Sequence, residues 1–196
     1  MRRWVVDREP GAAQIAEIVE LIRSGGLVLL PTDTIYGLHA LATDPRAVER
    51  LARIKGREEG KSFIVIAASA DQIESLGASV PPIVRKIWPA PLTAILRRGS
   101  GTIGTRVPRL DWLRALLSKS GPLFSTSANR SGESAISEPD ELAIDLRNAI
   151  DGIVDAGKRE GKASAIVDFT GDEPRLVREG DTLFTQELRK KLRKSL

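Results

Sequence analysis

Short apolar runs of strand length alternate with segments of helical periodicity along almost the whole chain. Residues 12–26 repeat apolar side chains at helical spacing and end in two glycines, which predicts an amphipathic helix and its stop. The apolar run 27–31 that follows is typical of a buried strand. Further strands are predicted at LTAIL, TIGTRV, PLFST, SAIVDF and RLVRE, and helices at PIVRKIW, DWLRALLSK, PDELAIDLRNAI and QELRKKLRK. This alternation predicts the α/β class, and we expect one mixed-sheet domain spanning residues 1–196.

The composition excludes several kinds of protein. The chain has no cysteine, so it has no disulfide framework, no thiolate nucleophile and no cysteine zinc site. No apolar run approaches the roughly 18 residues that a membrane helix needs, and the charged start MRRWVVDREPG lacks the apolar core of a signal peptide. We therefore expect a cytoplasmic protein without a membrane segment.

Positive charge is in modest excess, with 30 Lys and Arg against 26 Asp and Glu. Such a balance is compatible with a phosphorylated or polyanionic partner, and equally with an ordinary solvated surface. The most compact group of cations, Lys55, Arg57 and Lys61, lies in the segment KGREEGKSF. This segment resembles a phosphate-binding loop, but a helical pattern precedes it and an apolar strand follows it, which is the reverse of that motif. It is therefore predicted as a cationic junction between a helix and a strand.

Two other sequence features do not indicate a binding or catalytic site. GSGTIG, at residues 99–104, has the spacing of a dinucleotide fingerprint, but the following TRVP opposes a helix, so a glycine-rich hairpin is predicted. His39 is the only histidine, which excludes a centre with several histidine ligands. We expect His39 to be a polar residue at the edge of the core.

Polar side chains follow two predicted strands where each strand ends. In LVLLPTDTIYGL, Thr32 and Thr34 would point to the same side if the chain stays extended. In GPLFSTSANRSG, Ser125, Ser127 and Asn129 would share one face in the same way. Strand ends of this kind carry ligand sites in α/β domains, although turns held by hydroxyl hydrogen bonds would show the same residues.

The motifs PTDTIYGL, KGR with a following lysine, TRVP, STSAN-SG and LVREG occur in this order over nearly the whole chain. Together they closely resemble the YrdC family of threonylcarbamoyl-AMP synthases. The resemblance implies a single twisted α/β domain with a large, positively lined cavity. It also implies the synthesis of threonylcarbamoyl-adenylate and pyrophosphate from L-threonine, bicarbonate and ATP with Mg²⁺. A separate transferase complex would then use this product to modify position 37 of tRNA.

The resemblance also implies roles for individual residues. Lys55 and Arg57 would be catalytic. The threonine-binding set would be Thr34, Arg106, Ser125 and Ser164. The nucleotide-binding set would be Arg57, Lys61, Ser127, Asn129 and Arg178. No metal ligand is identified, and Mg²⁺ is expected to accompany ATP.

The residue types suit this chemistry. A carbamate formed from threonine and bicarbonate is already anionic, so its attack on the α-phosphorus of ATP needs no activated serine or cysteine. Cationic groups that neutralise the phosphates are needed instead. One alternative is a non-catalytic RNA-binding protein that uses the same basic cavity. Weak binding of tRNA is also compatible with the synthase reading, and the sequence leaves direct tRNA binding open. Another is a different carbamoyl or adenylyl transfer on the same fold, as in hydrogenase maturation factors.

Overall fold

The computed structural model describes residues 1–56, 63–130 and 133–193. Within them, ten strands are formed: β1 Arg2–Val5, β2 Val28–Pro31, β3 Tyr36–Leu41, β4 Ile64–Ile66, β5 Leu92–Arg98, β6 Gly101–Arg106, β7 Leu123–Ser127, β8 Gly152–Asp155, β9 Ala165–Asp168 and β10 Arg175–Arg178. The same residues form seven α-helices: α1 Ala12–Arg23, α2 Pro45–Ile54, α3 Ala70–Glu74, α4 Pro82–Ile87, α5 Asp111–Ser120, α6 Ile144–Ala149 and α7 Thr182–Arg193.

All ten strands of the described residues join one sheet in the order β1-β8-β2-β3-β7-β4-β6-β5-β9-β10. The pairs β1–β8, β2–β8, β4–β6 and β5–β9 are parallel, and the other neighbouring pairs are antiparallel. The prediction of an α/β fold with a mixed sheet is therefore confirmed. GSGTIG forms the predicted hairpin between β5 and β6, where Gly99 adopts a left-handed φ of 56°.

Helices cover both faces of the central strands, which explains why β2 is an unbroken apolar run. Val28 and Leu30 face α1 and α5 in one buried cluster. Leu29 points the other way, into a cluster that also holds Leu51 of α2 and Leu146 of α6. A third cluster packs α3, α4 and α7 near β5 and β9.

The predicted helix over PDELAIDLRNAI is confirmed only in its second half. Pro139–Glu141 form only a 3-10 turn, and α6 begins at Ile144. Leu142 and Ala143 between them have extended ψ angles of 124° and 139°. Leu142 is buried there in the cluster with α2, so core packing outweighs local helical propensity.

Within the described part of the chain, none of the helices combines the length and apolar character needed to cross a membrane.

Candidate active site

A cavity of about 320 Å³ lies over one face of the sheet. The strand registers show how this face is composed: Gly37 pairs with Ser127, and Ile64 pairs with Ser125. Arg106 pairs with Ile66, two residues beyond Ile64, and therefore points to the same face. The helices α1 and α5 cover the apolar part of this face, which continues from Ile66 to Val28. The cavity occupies the polar part that these helices leave uncovered.

The cavity wall contains almost all the predicted site residues that the structure describes. The lining side chains include Thr34, Arg106, Ser125, Ser127, Asn129, Ser164 and Arg178. They come from the β2–β3 loop, β6, β7 and the segment after it, and the segments before β9 and at the end of β10. The two predicted sets, one for threonine and one for nucleotide, therefore share one cavity.

Arg106 is the central cation of the threonine set. Its side chain is buried, Nη1 donates to Thr34 Oγ1 over 2.8 Å, and Nη2 forms an ion pair with Asp33. Burial lowers the pKa of Arg106 and the Asp33 carboxylate opposes that shift. A guanidinium stays charged in proteins, so this is a buried, positively charged donor. Arg106 Nε and Asp33 Oδ2 have no hydrogen-bond partner among the described residues, so Nε–H is an unused donor and Oδ2 an unused acceptor.

Hydroxyl groups hold the β2–β3 loop in shape. Thr32 Oγ1 lies 2.9 Å from Thr34 Oγ1, donates to the Ile35 carbonyl over 2.8 Å and accepts from the Thr34 amide over 3.1 Å. Both readings of this loop therefore hold: it is a hydroxyl-held turn, and it lines the cavity. Asp33 in the same loop pairs with Arg106 of β6.

Ser164 and Arg178 close the wall beside Arg106. Ser164 Oγ lies 2.7 Å from Thr93 Oγ1, and Thr93 pairs with Ile166 across β5 and β9. The Ser164 carbonyl accepts from Arg178 Nε over 3.2 Å and from Nη2 over 2.9 Å. Arg178 is exposed as a whole, but partial desolvation of its guanidinium lowers its pKa. Its position is thus set by a main-chain carbonyl rather than by a carboxylate.

Lys55 lies at the end of α2, and its ammonium group reaches the end of β7. Nζ donates to the Ser127 carbonyl over 2.9 Å and also to the Asn129 carbonyl, and lies 3.5 Å from Asn129 Oδ1. Its side chain is only 7% exposed. In this structure Lys55 therefore shapes the main chain that carries Ser127 and Asn129. Arg57 and Lys61, the other cations of the junction, lie outside the described residues.

Sequence reasoning missed two residues that build this wall. The Tyr36 hydroxyl donates to the Gly157 carbonyl over 2.8 Å and accepts from the Ala156 amide over 3.1 Å. Gly161 lies so close to the Thr34 carbonyl that a Cβ atom there would come within 1.7 Å of its oxygen. The segment 156–164 is therefore held directly against the β2–β3 loop. Nothing in the local pattern of this segment signals such a long-range contact.

His39 is also placed differently from its prediction. It lies in the centre of β3 and is fully buried, not at the edge of the core. Its Nε2 atom is 3.1 Å from Ser125 Oγ. Burial is the main reason that the pKa of His39 falls to about 4, and the positive charge of Arg106 lowers it further. The side chain is therefore neutral at pH 7. Side chains alternate along β3, so His39 lies on the same face as Gly37. This alternation is the sequence signal that could have located His39.

Comparison with known proteins decides the family. Residues 20–180 match the Sua5, YciO and YrdC family model, which is described as "Telomere recombination". The chain belongs to the Sua5/YciO/YrdC family. The resemblance identified from the five sequence motifs is thereby confirmed.

Three relatives illustrate the range of this family. A threonylcarbamoyl-AMP synthase of Pyrococcus abyssi is 34% identical over 81% of this chain and 52% of its own length. A crystal structure of P. abyssi Sua5 complexed with L-threonine superposes with a TM-score of 0.87 at 31% identity, covering 97% of this chain and 61% of that chain. A crystal structure of Escherichia coli YciO gives a TM-score of 0.81 at 29% identity, covering 92% and 96%. This chain thus spans about half of the P. abyssi synthase and almost all of YciO.

Proposed function

We propose that this Sua5/YciO/YrdC-family chain is a threonylcarbamoyl-AMP synthase, and therefore a nucleotidyltransferase. It would convert L-threonine, bicarbonate and ATP into threonylcarbamoyl-adenylate and pyrophosphate. The observation that carries the proposal is the shared cavity, which brings the Arg106 group and the Ser127–Asn129 segment to one face of the sheet. The name of the P. abyssi relative and the L-threonine in the related complex support the same reaction.

The Arg106 side of the cavity suits the carboxylate of an amino acid. A guanidinium has five N–H donors, and the contacts to Thr34 and Asp33 use two of them. The remaining donors can bind a carboxylate in the paired geometry that arginine favours. Ser125 and Ser164 add hydroxyl groups on the same wall. Because the site is buried, each charged hydrogen bond is stronger than it would be in water.

The other side of the cavity suits a nucleotide. Ser127 and Asn129 offer polar side chains at the end of β7, and Arg178 offers a cation from the exposed end of β10. Lys55 supports this side by holding the main-chain carbonyls of Ser127 and Asn129. Arg57 and Lys61 are proposed to complete the phosphate contacts from the segment that follows Lys55.

The proposed reaction needs positioning and charge, not a protein nucleophile. The threonine amine and bicarbonate form a carbamate with loss of water. A carbamate oxygen then attacks the α-phosphorus of ATP, and the bond between the α- and β-phosphates breaks to release pyrophosphate. The cationic side chains stabilise the negative charge that moves onto the leaving phosphates. The enclosed cavity keeps the reactants adjacent and limits hydrolysis of the product.

Magnesium enters this proposal with ATP, as part of the substrate. Among the described residues, no three carboxylate, histidine or cysteine side chains gather where they could hold a metal ion. Glu133 lines the cavity, whereas Asp33 is engaged with Arg106. Mg²⁺ commonly binds through substrate phosphates, water and at most one or two carboxylates, and this donor set fits that mode.

The product is a reactive mixed anhydride, so an acceptor must consume it. We propose that a tRNA threonylcarbamoyl-transferase complex takes it for position 37 of tRNA, in the cytoplasm, and that tRNA binds this chain only weakly. A binding protein without catalysis is the competing hypothesis.

Mass spectrometry tests the proposal directly. The chain is incubated with MgATP, L-threonine and ¹³C-bicarbonate, and the products are separated at once. A threonylcarbamoyl-adenylate that carries the label, together with pyrophosphate release that requires all three substrates, would support the reaction. Binding of tRNA with no labelled adduct and no pyrophosphate would overturn it in favour of the RNA-binding alternative.

A further inference from the structure

His39 lies directly beneath the cavity and touches one of its wall residues. Its ring packs so closely on Gly37 that a Cβ atom at Gly37 would come within 2.8 Å of His39 Cε1. Ser125 faces His39 across the β3–β7 ladder, and His39 Nε2 lies 3.1 Å from Ser125 Oγ. Gly37 and Ser125 both line the cavity, whereas His39 does not. Any effect of His39 on a ligand must therefore pass through Ser125 or through the shape of the wall.

The other ring nitrogen limits how this hydrogen bond can be arranged. His39 Nδ1 is buried and has no hydrogen-bond partner among the described residues. The main-chain carbonyls of Gly37 and Val28 act on the ring as acceptors and raise its pKa against the effect of burial, but neither has hydrogen-bond geometry to Nδ1. A neutral imidazole carries one proton, which resides on Nδ1 or on Nε2. A proton on Nδ1 would lack an acceptor in hydrogen-bond geometry, whereas a proton on Nε2 has Ser125 Oγ, so the proton is assigned to Nε2.

This arrangement determines what Ser125 offers to the cavity. If Nε2–H donates to Ser125 Oγ, one lone pair of the hydroxyl is used and its own proton remains free. We propose that His39 is a positioning residue that makes Ser125 a donor toward the cavity, ready for an acceptor atom of the ligand. Together with the remaining donors of Arg106, Ser125 then presents hydrogen-bond donors to a carboxylate or carbamate oxygen.

The inference rests on the proposed function only for the choice of ligand. The hydrogen bond and the tautomer are properties of the free protein. They can therefore be tested whether or not the chain makes threonylcarbamoyl-adenylate.

The first experiment is NMR of the full chain labelled with ¹⁵N-histidine. Because His39 is the only histidine, the long-range ¹⁵N–¹H spectrum contains one imidazole and needs no assignment. At neutral pH we expect the neutral ring protonated at Nε2, and a shift of the Nε2 resonance on titration with L-threonine. A ring protonated at Nδ1 in the free protein would overturn the proposal.

The second experiment tests whether His39 acts through Ser125. L-threonine affinity is measured for wild type, His39→Leu, Ser125→Ala and the double variant. We expect His39→Leu to weaken binding about fivefold in the wild-type background, as for loss of one neutral hydrogen bond, and by less than about twofold in the Ser125→Ala background. An equal loss in both backgrounds would show a merely structural role and overturn the proposal.

A conservative variant and the free-protein spectrum keep the result interpretable. His39→Gln retains an amide donor at this site, so it should recover part of the affinity lost in His39→Leu. If wild type binds no L-threonine at all, the proposed threonine site is wrong. The tautomer in the free protein then still decides the inference about His39 and Ser125.

Discussion

The two sides of the cavity are built in different ways. On the Arg106 side, buried side chains contact one another directly: Arg106 with Thr34 and Asp33, and His39 with Ser125. On the Ser127–Asn129 side, Lys55 contacts main-chain carbonyls, and its effect is on the path of the chain. On the Arg106 side, a ligand would therefore meet charges that are already fixed in the core. The other side depends on the conformation of a strand end.

The largest expected effect belongs to Arg106. Arg106→Ala removes the charged donor and leaves Asp33 buried without its partner, so we expect threonine affinity to fall on the order of 100-fold. We also expect the free energy of unfolding to fall by about 4 kcal/mol, as for a broken buried pair. Isothermal titration with L-threonine and urea denaturation measure the two effects. Arg109→Ala, at an exposed arginine three residues later, is the control and should bind threonine normally.

An unchanged threonine affinity in Arg106→Ala would remove the distinction between the two sides. The double variant Asp33→Asn with Arg106→Ala separates the effect on stability from the effect on threonine affinity. This variant removes the unpaired carboxylate, so it should regain stability without regaining threonine affinity.

The next largest effect is a pH dependence of stability due to His39. The pKa of a histidine in an unfolded chain is about 6.5, whereas burial holds the pKa of His39 at about 4 in the folded protein. The unfolded state therefore binds the proton first as the pH falls. Stability is complete above about pH 6.5 and is lost progressively toward pH 4, by about 3 kcal/mol.

Urea denaturation of wild type and His39→Gln at about pH 7.5 and pH 4 isolates this contribution. The variant lacks the titrating ring, so its stability should fall less over the same interval, by about 3 kcal/mol. Equal losses in the two proteins would mean that the imidazole is not desolvated in the folded state.

The third effect tests the side that depends on chain conformation. Lys55→Met removes the ammonium group that links the Ser127 and Asn129 carbonyls. We therefore expect the KM for ATP to rise about 30-fold, with a small change in the KM for threonine. Steady-state pyrophosphate release at varied ATP and threonine separates the two. Arg53→Met is the matched control, since Arg53 lies in the same helix with a side chain that is 73% exposed. A larger change for threonine than for ATP would contradict the division of the cavity.

The smallest effect tests the wall that both sides share. Tyr36→Phe removes the hydroxyl that contacts Gly157 and Ala156, so the unfolding free energy should fall by about 1 kcal/mol. Because the segment 156–164 borders both sides, we expect comparable, severalfold losses for threonine and for ATP. Loss confined to one substrate would show that this segment belongs to only one side.

Much of the fold could be predicted because local sequence signals mark where its helices and strands begin and end. Asp44 begins α2 by accepting from the Arg46 and Ala47 amides, and Pro45 occupies the first helical position. The reversed order of helix and strand around Lys55 correctly excluded a phosphate-binding loop, since α2 precedes that junction and β4 follows it. The first half of the predicted helix over PDELAIDLRNAI is not helical because the burial of Leu142 is a tertiary effect that no local pattern contains.

The sequence by itself determined the alternation of strands and helices, the polar ends of β2 and β7, and the residue types available for binding anions. Only the tertiary structure decided which of these residues meet. Arg106 and Thr34 are 72 positions apart, and His39 and Ser125 are 86 apart. Their contacts depend on the order and register of strands in the sheet. The physical reason is that local propensity acts over a few residues, whereas strand pairing and burial join segments that are distant in the chain.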